Sequence, residues 1–431
     1  MEARAGPLSW AGLTPPNDSR PTTGSPPLTL PSDRDASGRD LGARELELLA
    51  EAVRSGHLNS TGGTLVPRLA HAFAARHGVP HAIACASGSA AVHAALGALG
   101  LRAGDEVVTT PITDIGAVLP IVYEGATPVF ADVDPVTLNV TAETLAARIT
   151  DRTRAVIVTH LFGQPCRMEP ILALAHERGL TVIEDAAQAF LATDEGRLCG
   201  TIGALGCFSF QQGKHMTTGE GGMVISSDPG LASGVQRFVD KGWGYGDPKP
   251  DHDRPGLNYR LTELQGAVGI AQLEKLDGCV MRRRATARAL CEALADLEQD
   301  GIGLPIPAPG SEHSYWRFAL RIDPDRLPGG AVALGAHLSA CGVQNAPRYV
   351  QKPAFDCAVF RDRDRFGAMA GVFPHDGPLG DRSTHPGCYA GLERVLVLPW
   401  NEQYRTEHVD FIAASIRRAV AAVRTAGAPG A

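Results

Sequence analysis

Cys207-Phe208-Ser209-Phe210-Gln211-Gln212-Gly213-Lys214-His215-Met216-Thr217-Thr218-Gly219-Glu220-Gly221-Gly222 is the run on which the reading of the chain turns. The short apolar stretch Cys207 to Phe210 predicts a buried strand, and Met223-Val224-Ile225, after a glycine-rich turn, predicts a second. Lys214 stands between them. Lysine is seldom enclosed in a core unless its amine is used there. Burial disfavours the charged form of a lysine, and the neutral amine is the nucleophile that bonds to an aldehyde. A solvated turn lysine is the other reading of the same residue.

A second stretch bears on that choice. Leu180-Thr181-Val182-Ile183-Glu184-Asp185-Ala186-Ala187-Gln188-Ala189 is a β-rich run that ends in an acid and continues in small residues. Ligands of α/β sheets bind beyond the carboxyl ends of the strands. Asp185 precedes Lys214 by 29 residues (214 − 185), room for one further strand and its turns. A strand-end acid with a lysine in a glycine-rich turn fits pyridoxal phosphate (PLP) chemistry. That chemistry needs a Schiff-base lysine and a carboxylate that keeps the pyridine nitrogen protonated.

Around these two stretches, strand and helix patterns alternate at intervals of about 25 to 30 residues, as βαβ units do. Ala82–Ala86, Glu106–Thr110, Thr127–Asp132, Ala155–Thr159 and Thr181–Ile183 read as strands. Leu41–Val53, Thr64–His77, Met168–Arg178 and Thr262–Leu276 read as helices. No G-x-G-x-x-G follows the first strand and no Walker motif occurs, so neither a dinucleotide domain nor a P-loop is expected. Ser87-Gly88-Ser89 opens an alanine-rich helix, and a small-residue turn at a helix N-terminus forms an anion site. An ordinary serine N-cap is the alternative there. Three arginines in a row, Arg282 to Arg284, read as a solvated helix face linking two domains.

With 431 residues the chain can hold two domains. Residues 1–40, rich in Pro, Gly, Ser and Asp, read as a disordered or loosely packed arm; 41–280 as a large α/β domain; 281–431 as a smaller α+β domain. A net charge of −7 argues against general nucleic-acid binding. Nine scattered cysteines without a C-x-x-C pair imply reduced thiols and no zinc site. No stretch is long and apolar enough for a membrane span, and no basic region followed by an apolar one marks a secretory signal. A cytoplasmic protein is expected.

Glu184-Asp185-Ala186-Ala187-Gln188-Ala189, Ser209 to Gly222, and Asn258-Tyr259-Arg260-Leu261-Thr262-Glu263-Leu264-Gln265 together resemble the DegT/DnrJ/EryC1/StrS family, from about Gly42 to the C-terminus. That resemblance implies the type I, aspartate aminotransferase-like fold, with a mostly parallel central sheet, and PLP-dependent amino transfer to keto-sugars or keto-cyclitols. It implies Lys214 and Asp185 as the catalytic pair. It implies Gly88, Ser89 and Ser209 at the cofactor phosphate and Gln188 near the pyridoxal oxygen. Asn258 is implied to reach the phosphate in a partner subunit, hence a homodimer with shared active sites. Pro111-Ile112-Thr113-Asp114, Phe210 to His215 and Arg348 to Phe355 narrow the resemblance to the scyllo-inosose aminotransferases of aminocyclitol antibiotic pathways. Glutamine or glutamate is then the amino donor.

Asp114 departs from the family, whose members commonly carry an aromatic ring there to stack on the cofactor. It reads either as facing a polyhydroxy substrate or as a helix N-cap. His160, at a strand's carboxyl end, Lys241 in the loop Phe238–Pro255, and Tyr349 and Lys352 in the loop Arg348–Phe355 are further candidates for substrate contact. A sugar dehydratase of the same fold would carry histidine in place of Lys214, and a catalytically silent relative would not need Lys214, Asp185 and Ser209 together. A nucleotide-linked keto-sugar is the alternative acceptor.

Overall fold

Seven strands form the central sheet of the computed structural model, which describes residues 28–373 and 377–426. They are β1 (His81–Cys85), β2 (Glu106–Thr109), β3 (Thr127–Phe130), β4 (Thr153–Thr159), β5 (Thr181–Asp185), β6 (Leu205–Ser209) and β7 (Gly222–Ser226). Their spatial order is β1-β7-β6-β5-β4-β2-β3. Neighbours from β6 through β3 run parallel, and β7 runs against both β6 and β1. The sheet is therefore mostly parallel, as the alternating strand and helix patterns require.

A parallel sheet is covered on both faces, and successive side chains of each strand serve opposite layers. Ile183, Cys207 and Val224 pack with the helices Gly88–Leu99 and Pro229–Val239. Phe208, Met223 and Ile225 pack on the other side, with Leu65–His77 and Glu263–Leu294. There the Phe73 ring lies 5.1 Å from that of Phe208 and 5.8 Å from that of Phe210. The same alternation decides where the polar residues go. Asp185 continues the face of Ile183, Ser209 continues the face of Cys207, and Glu184 turns to the opposite layer.

A second, antiparallel sheet joins Ile302–Gly303, Arg317–Ile322, Val395–Pro399 and Ala346–Pro347 in that order. Arg317–Ile322 alternates half-buried and buried residues, the pattern of a strand with one covered face. Its cover comes from Gly330–Ala340, Thr406–Ala426 and the last turns of the long helix, around Leu290, Phe318, Leu396 and Ile416.

Three expectations from the sequence are corrected. The helix expected over Thr262–Leu276 runs without interruption over 32 residues, Glu263–Leu294, so the boundary expected at 280 falls inside it. Arg283 on this helix is not on a solvated face. It is fully buried, paired with Glu402 at 2.6 Å, and its Nη1 donates to the carbonyl of Trp400 at 2.7 Å. The arm expected over 1–40 is anchored over its described part, 28–40: Gly38 and Arg39 are buried, and the Asn401 amide donates to Asp33 at 2.6 Å. Residues 1–27 lie outside the described residues. No helix among the described residues is long and apolar enough to cross a membrane.

Candidate active site

The carboxyl ends of β1, β2, β5 and β6 open on one side of the sheet, and a cavity of about 310 Å³ lies there. Its lining includes Gly88, Ser89, Asp114, Asp185, Ser209, Lys214 and Trp316. The parallel register sets Asp185 beside Cys207, so Asp185 and Ser209 come to the same rim. β1 ends at Cys85, and Ser87 caps the following helix by accepting the Ala90 N–H at 3.0 Å. The N–H groups of the first helical turn have no partner within the helix. With the Ser209 hydroxyl they form a donor set suited to a phosphate. The approach is close: a Cβ on Gly88 would stand 2.7 Å from Cβ of Ser209 and 3.0 Å from its Oγ.

Lys214 is half-buried, and desolvation lowers its amine to about 8, with Asp185 and Asp114 pulling the other way and Arg317 adding to the fall. The amine stands 4.1 Å from the centre of the Trp316 ring, the distance of a cation–π contact. Asp185 is shifted the opposite way. Burial raises its carboxyl above the ordinary carboxylate range, against the pull of the Ala187 N–H, which it accepts at 3.1 Å, and of Lys214. A desolvated amine and a desolvated acid thus face one cavity, each displaced toward its neutral form.

The remaining candidates are distributed unevenly. Asp114 lines the cavity and also caps the short turn Ile115–Ala117, accepting the Gly116 N–H at 2.8 Å. Gln188 is buried, and its amide oxygen accepts the N–H of Phe162 at 2.7 Å. Phe162 itself has a left-handed backbone, φ 61°. Tyr349 packs edge-on against Phe162 at 4.8 Å, and burial pushes its phenol up to about 12, with Arg317 lowering it and Asp114 raising it. Lys241, Asn258 and Lys352 are exposed and lie outside the lining of this cavity. Lys241 pairs with the buried Asp240.

His160 does not reach the cavity, contrary to the expectation of a substrate contact. It is fully enclosed. Its Nδ1 accepts the Cys166 N–H at 3.1 Å, so the proton sits on Nε2, which donates to Glu184 at 2.9 Å. Glu184 also accepts the N–H groups of Gly200, Ile202 and Gly203 at 2.8, 2.6 and 2.6 Å. This network ties the turn after β5 to the strand that carries Asp185. Glu184→Ala would leave one buried and two half-buried N–H groups, and the buried His160, without their acceptor. A loss of about 3–5 kcal/mol in the stability toward urea is expected.

Trp316 is the site residue that sequence reading missed. It stands just ahead of the strand Arg317–Ile322 of the second sheet, yet its indole N–H donates to the carbonyl of Gly213 at 2.7 Å and its ring faces the lysine. An aromatic ring thus enters the cavity from the start of the second sheet's longest strand.

A strand-end acid and a turn lysine, converging beside a helix N-terminus on a mostly parallel seven-stranded sheet, define the type I class of PLP-dependent transferases. The profile of the DegT/DnrJ/EryC1/StrS aminotransferase family matches residues 39–417, and the chain belongs to that family. It is a PLP-dependent aminotransferase. A relative described as GDP-perosamine synthase, from Caulobacter vibrioides, is 38% identical over 309 residues, which are 71% of this chain and 82% of the relative. The X-ray structure of an aminotransferase from Psychrobacter cryohalolentis superposes with a TM-score of 0.79 at 30% identity, covering 90% of this chain and 98% of that one. The structure of DesI in the presence of its TDP-sugar product gives 0.78 at 28% identity, covering 90% and 93%.

Proposed function

We propose that the enzyme moves an amino group from an amino-acid donor, glutamate or glutamine, to the ketone of a nucleotide-linked sugar. The observation that carries this reading is the 38% identity to a GDP-perosamine synthase over most of that protein's length, with Lys214 and Asp185 converging on one cavity. A keto-cyclitol such as scyllo-inosose, in aminocyclitol antibiotic biosynthesis, is the second reading. It is favoured by the resemblance of Pro111–Asp114, Phe210–His215 and Arg348–Phe355 to enzymes that aminate it.

When bound, PLP supplies an aldehyde that carries the amino group and a ring that accepts electrons from the carbon being deprotonated. The protein's part is to hold, orient and exchange protons. The first-turn N–H groups at Gly88 and Ser89 and the Ser209 hydroxyl hold the phosphate, joined by Asn258 of a second copy in a homodimer. Asp185 holds the proton on the ring nitrogen, and the amide of Gln188 orients the ring oxygen. Lys214, neutral above about pH 8, takes the proton from the donor carbon and returns it, as a general base and then an acid. Asp114 meets the acceptor's hydroxyls, and Tyr349, Lys241 and Lys352, from outside the cavity lining, serve its outer groups.

Gly88→Ala would drive a methyl into Ser209. The dissociation constant for PLP is expected to rise at least tenfold, about 1.4 kcal/mol, with an unchanged far-ultraviolet circular dichroism spectrum. The acceptor is tested by incubating the enzyme with glutamine or glutamate and a panel of GDP- and TDP-linked keto-sugars and free keto-cyclitols, read by mass spectrometry. Amination of free cyclitols alone would overturn the nucleotide-sugar reading, and a dimer-disrupting variant that keeps full PLP affinity would remove Asn258 from the site.

A further inference from the structure

Three consecutive carbonyls of the lysine turn are each held by a side chain from a different part of the chain. Trp316, ahead of the second sheet's longest strand, donates to Gly213. Arg39, from the segment before the first helix, donates through Nη1 to Lys214 at 2.8 Å. Cys279, on the long helix, holds His215 at 3.3 Å. The central donor, Arg39, is itself fixed. Its Nη2 pairs with Asp33 at 2.9 Å, and its side chain is almost wholly enclosed.

Asp33 is the hub of this arrangement. One carboxylate oxygen accepts from Arg317 at 3.0 Å and the other from Asn401 at 2.6 Å, with Arg283 at 3.8 Å, while its backbone carbonyl accepts from Gln212 at 3.0 Å. Burial alone would raise this carboxyl, but Arg283, Arg39 and Arg317 outweigh it and hold Asp33 below the ordinary range. The segment can bend back in this way only because residue 38 is glycine: a Cβ there would overlap the Ser32 backbone and the Asn401 amide.

We infer that Asp33 and Arg39 are positioning residues for Lys214, fixing the peptide from which its amine projects and neutralising the arginine that faces that amine. The inference rests on Lys214 being the reacting amine. Desolvation and three charged groups act on Lys214: Asp185 and Asp114 from the ends of the central strands and Arg317 from the second sheet, while Glu220 also lines the cavity. Asp33 shares the hydrogen bond that occupies Arg317.

The test uses the full-length apoprotein and holoenzyme of Asp33→Asn, Arg39→Met and Arg39→Lys. In the apoprotein, labelling of Lys214 by an amine-selective reagent is followed against pH by peptide mass spectrometry. In the holoenzyme, kcat and KM are measured for donor and acceptor. Arg39→Met should lower kcat at least tenfold with KM changed less than threefold, and Arg39→Lys should recover most of the loss. Asp33→Asn should move the labelling midpoint below its wild-type value near 8, because Arg317 loses its counter-charge while still facing the amine. A segment that merely loosened would expose the amine and move the midpoint up toward 10.5, and that result overturns the inference. Unchanged kcat and midpoint in all three variants overturn it as well. Activity surviving in Lys214→Ala would instead sink the assignment of Lys214 itself.

Discussion

Lys214→Ala is expected to lower amino transfer roughly ten-thousandfold, the upper range for a lost general acid–base group. No other amine lines the cavity among the described residues, so nothing there can take over the proton at the donor carbon. The variant should still bind PLP through the phosphate site, but without the absorbance band of the lysine adduct. The pH dependence has a definite sign. Burial lowers the amine to about 8, and only its neutral form has the free electron pair. Covalent uptake of PLP by wild-type apoprotein should therefore slow about tenfold for each unit below pH 8 and level off above it. Stopped-flow absorbance measures this directly. A rate still climbing steeply to pH 10 would mean that the amine is not desolvated.

Asp185→Asn should cost roughly a thousandfold in kcat, about 4 kcal/mol of barrier, because an amide cannot keep the ring nitrogen protonated. The fold should survive, since the asparagine oxygen can still accept the Ala187 N–H. Stability should change in the opposite direction to activity. Burial raises the carboxyl in the folded apoprotein, so ionising it costs free energy that appears as pH rises above the ordinary value of 3.8. Apo Asp185→Asn should therefore resist urea better than wild type at pH 7, and the gain should shrink as pH falls toward 4. A site residue whose removal stabilises the empty protein is one held for chemistry rather than for the fold.

Residues whose neighbours are close in the chain were legible before the structure. The short buried strands ending at Asp185 and Ser209, and the helix Met168–Arg178, depend on side chains a few positions away. Trp316 and Arg39 were not legible, because they meet Lys214 from 102 residues after it and 175 before it, and spacing says nothing about such meetings. Arg283 is intermediate. Its partner Glu402 is 119 residues away, yet it falls on the stripe Leu276, Val280, Ala287, Leu290, Leu294 that the long helix buries, and that phase was readable. Reading the three arginines as a block, rather than by their angle around the helix, hid it. His160 misled for a related reason. The end of β4 points toward the site, but the alternation of its neighbour β5 gives His160 a buried acid to satisfy.

The uninterrupted helix Glu263–Leu294 has a mechanical consequence. Thirty-two residues make a rod of about 48 Å, anchored at its start where Glu263 accepts the N–H groups of Thr64, Leu65 and Val66, and farther along where Arg283 is bolted to Glu402. A rod with no break offers no hinge within its own length, so opening of the site to an acceptor must be absorbed elsewhere. Traffic through the entrance falls to the surface loops around it, and turnover should respond to changes in their stiffness more than to changes in the rod.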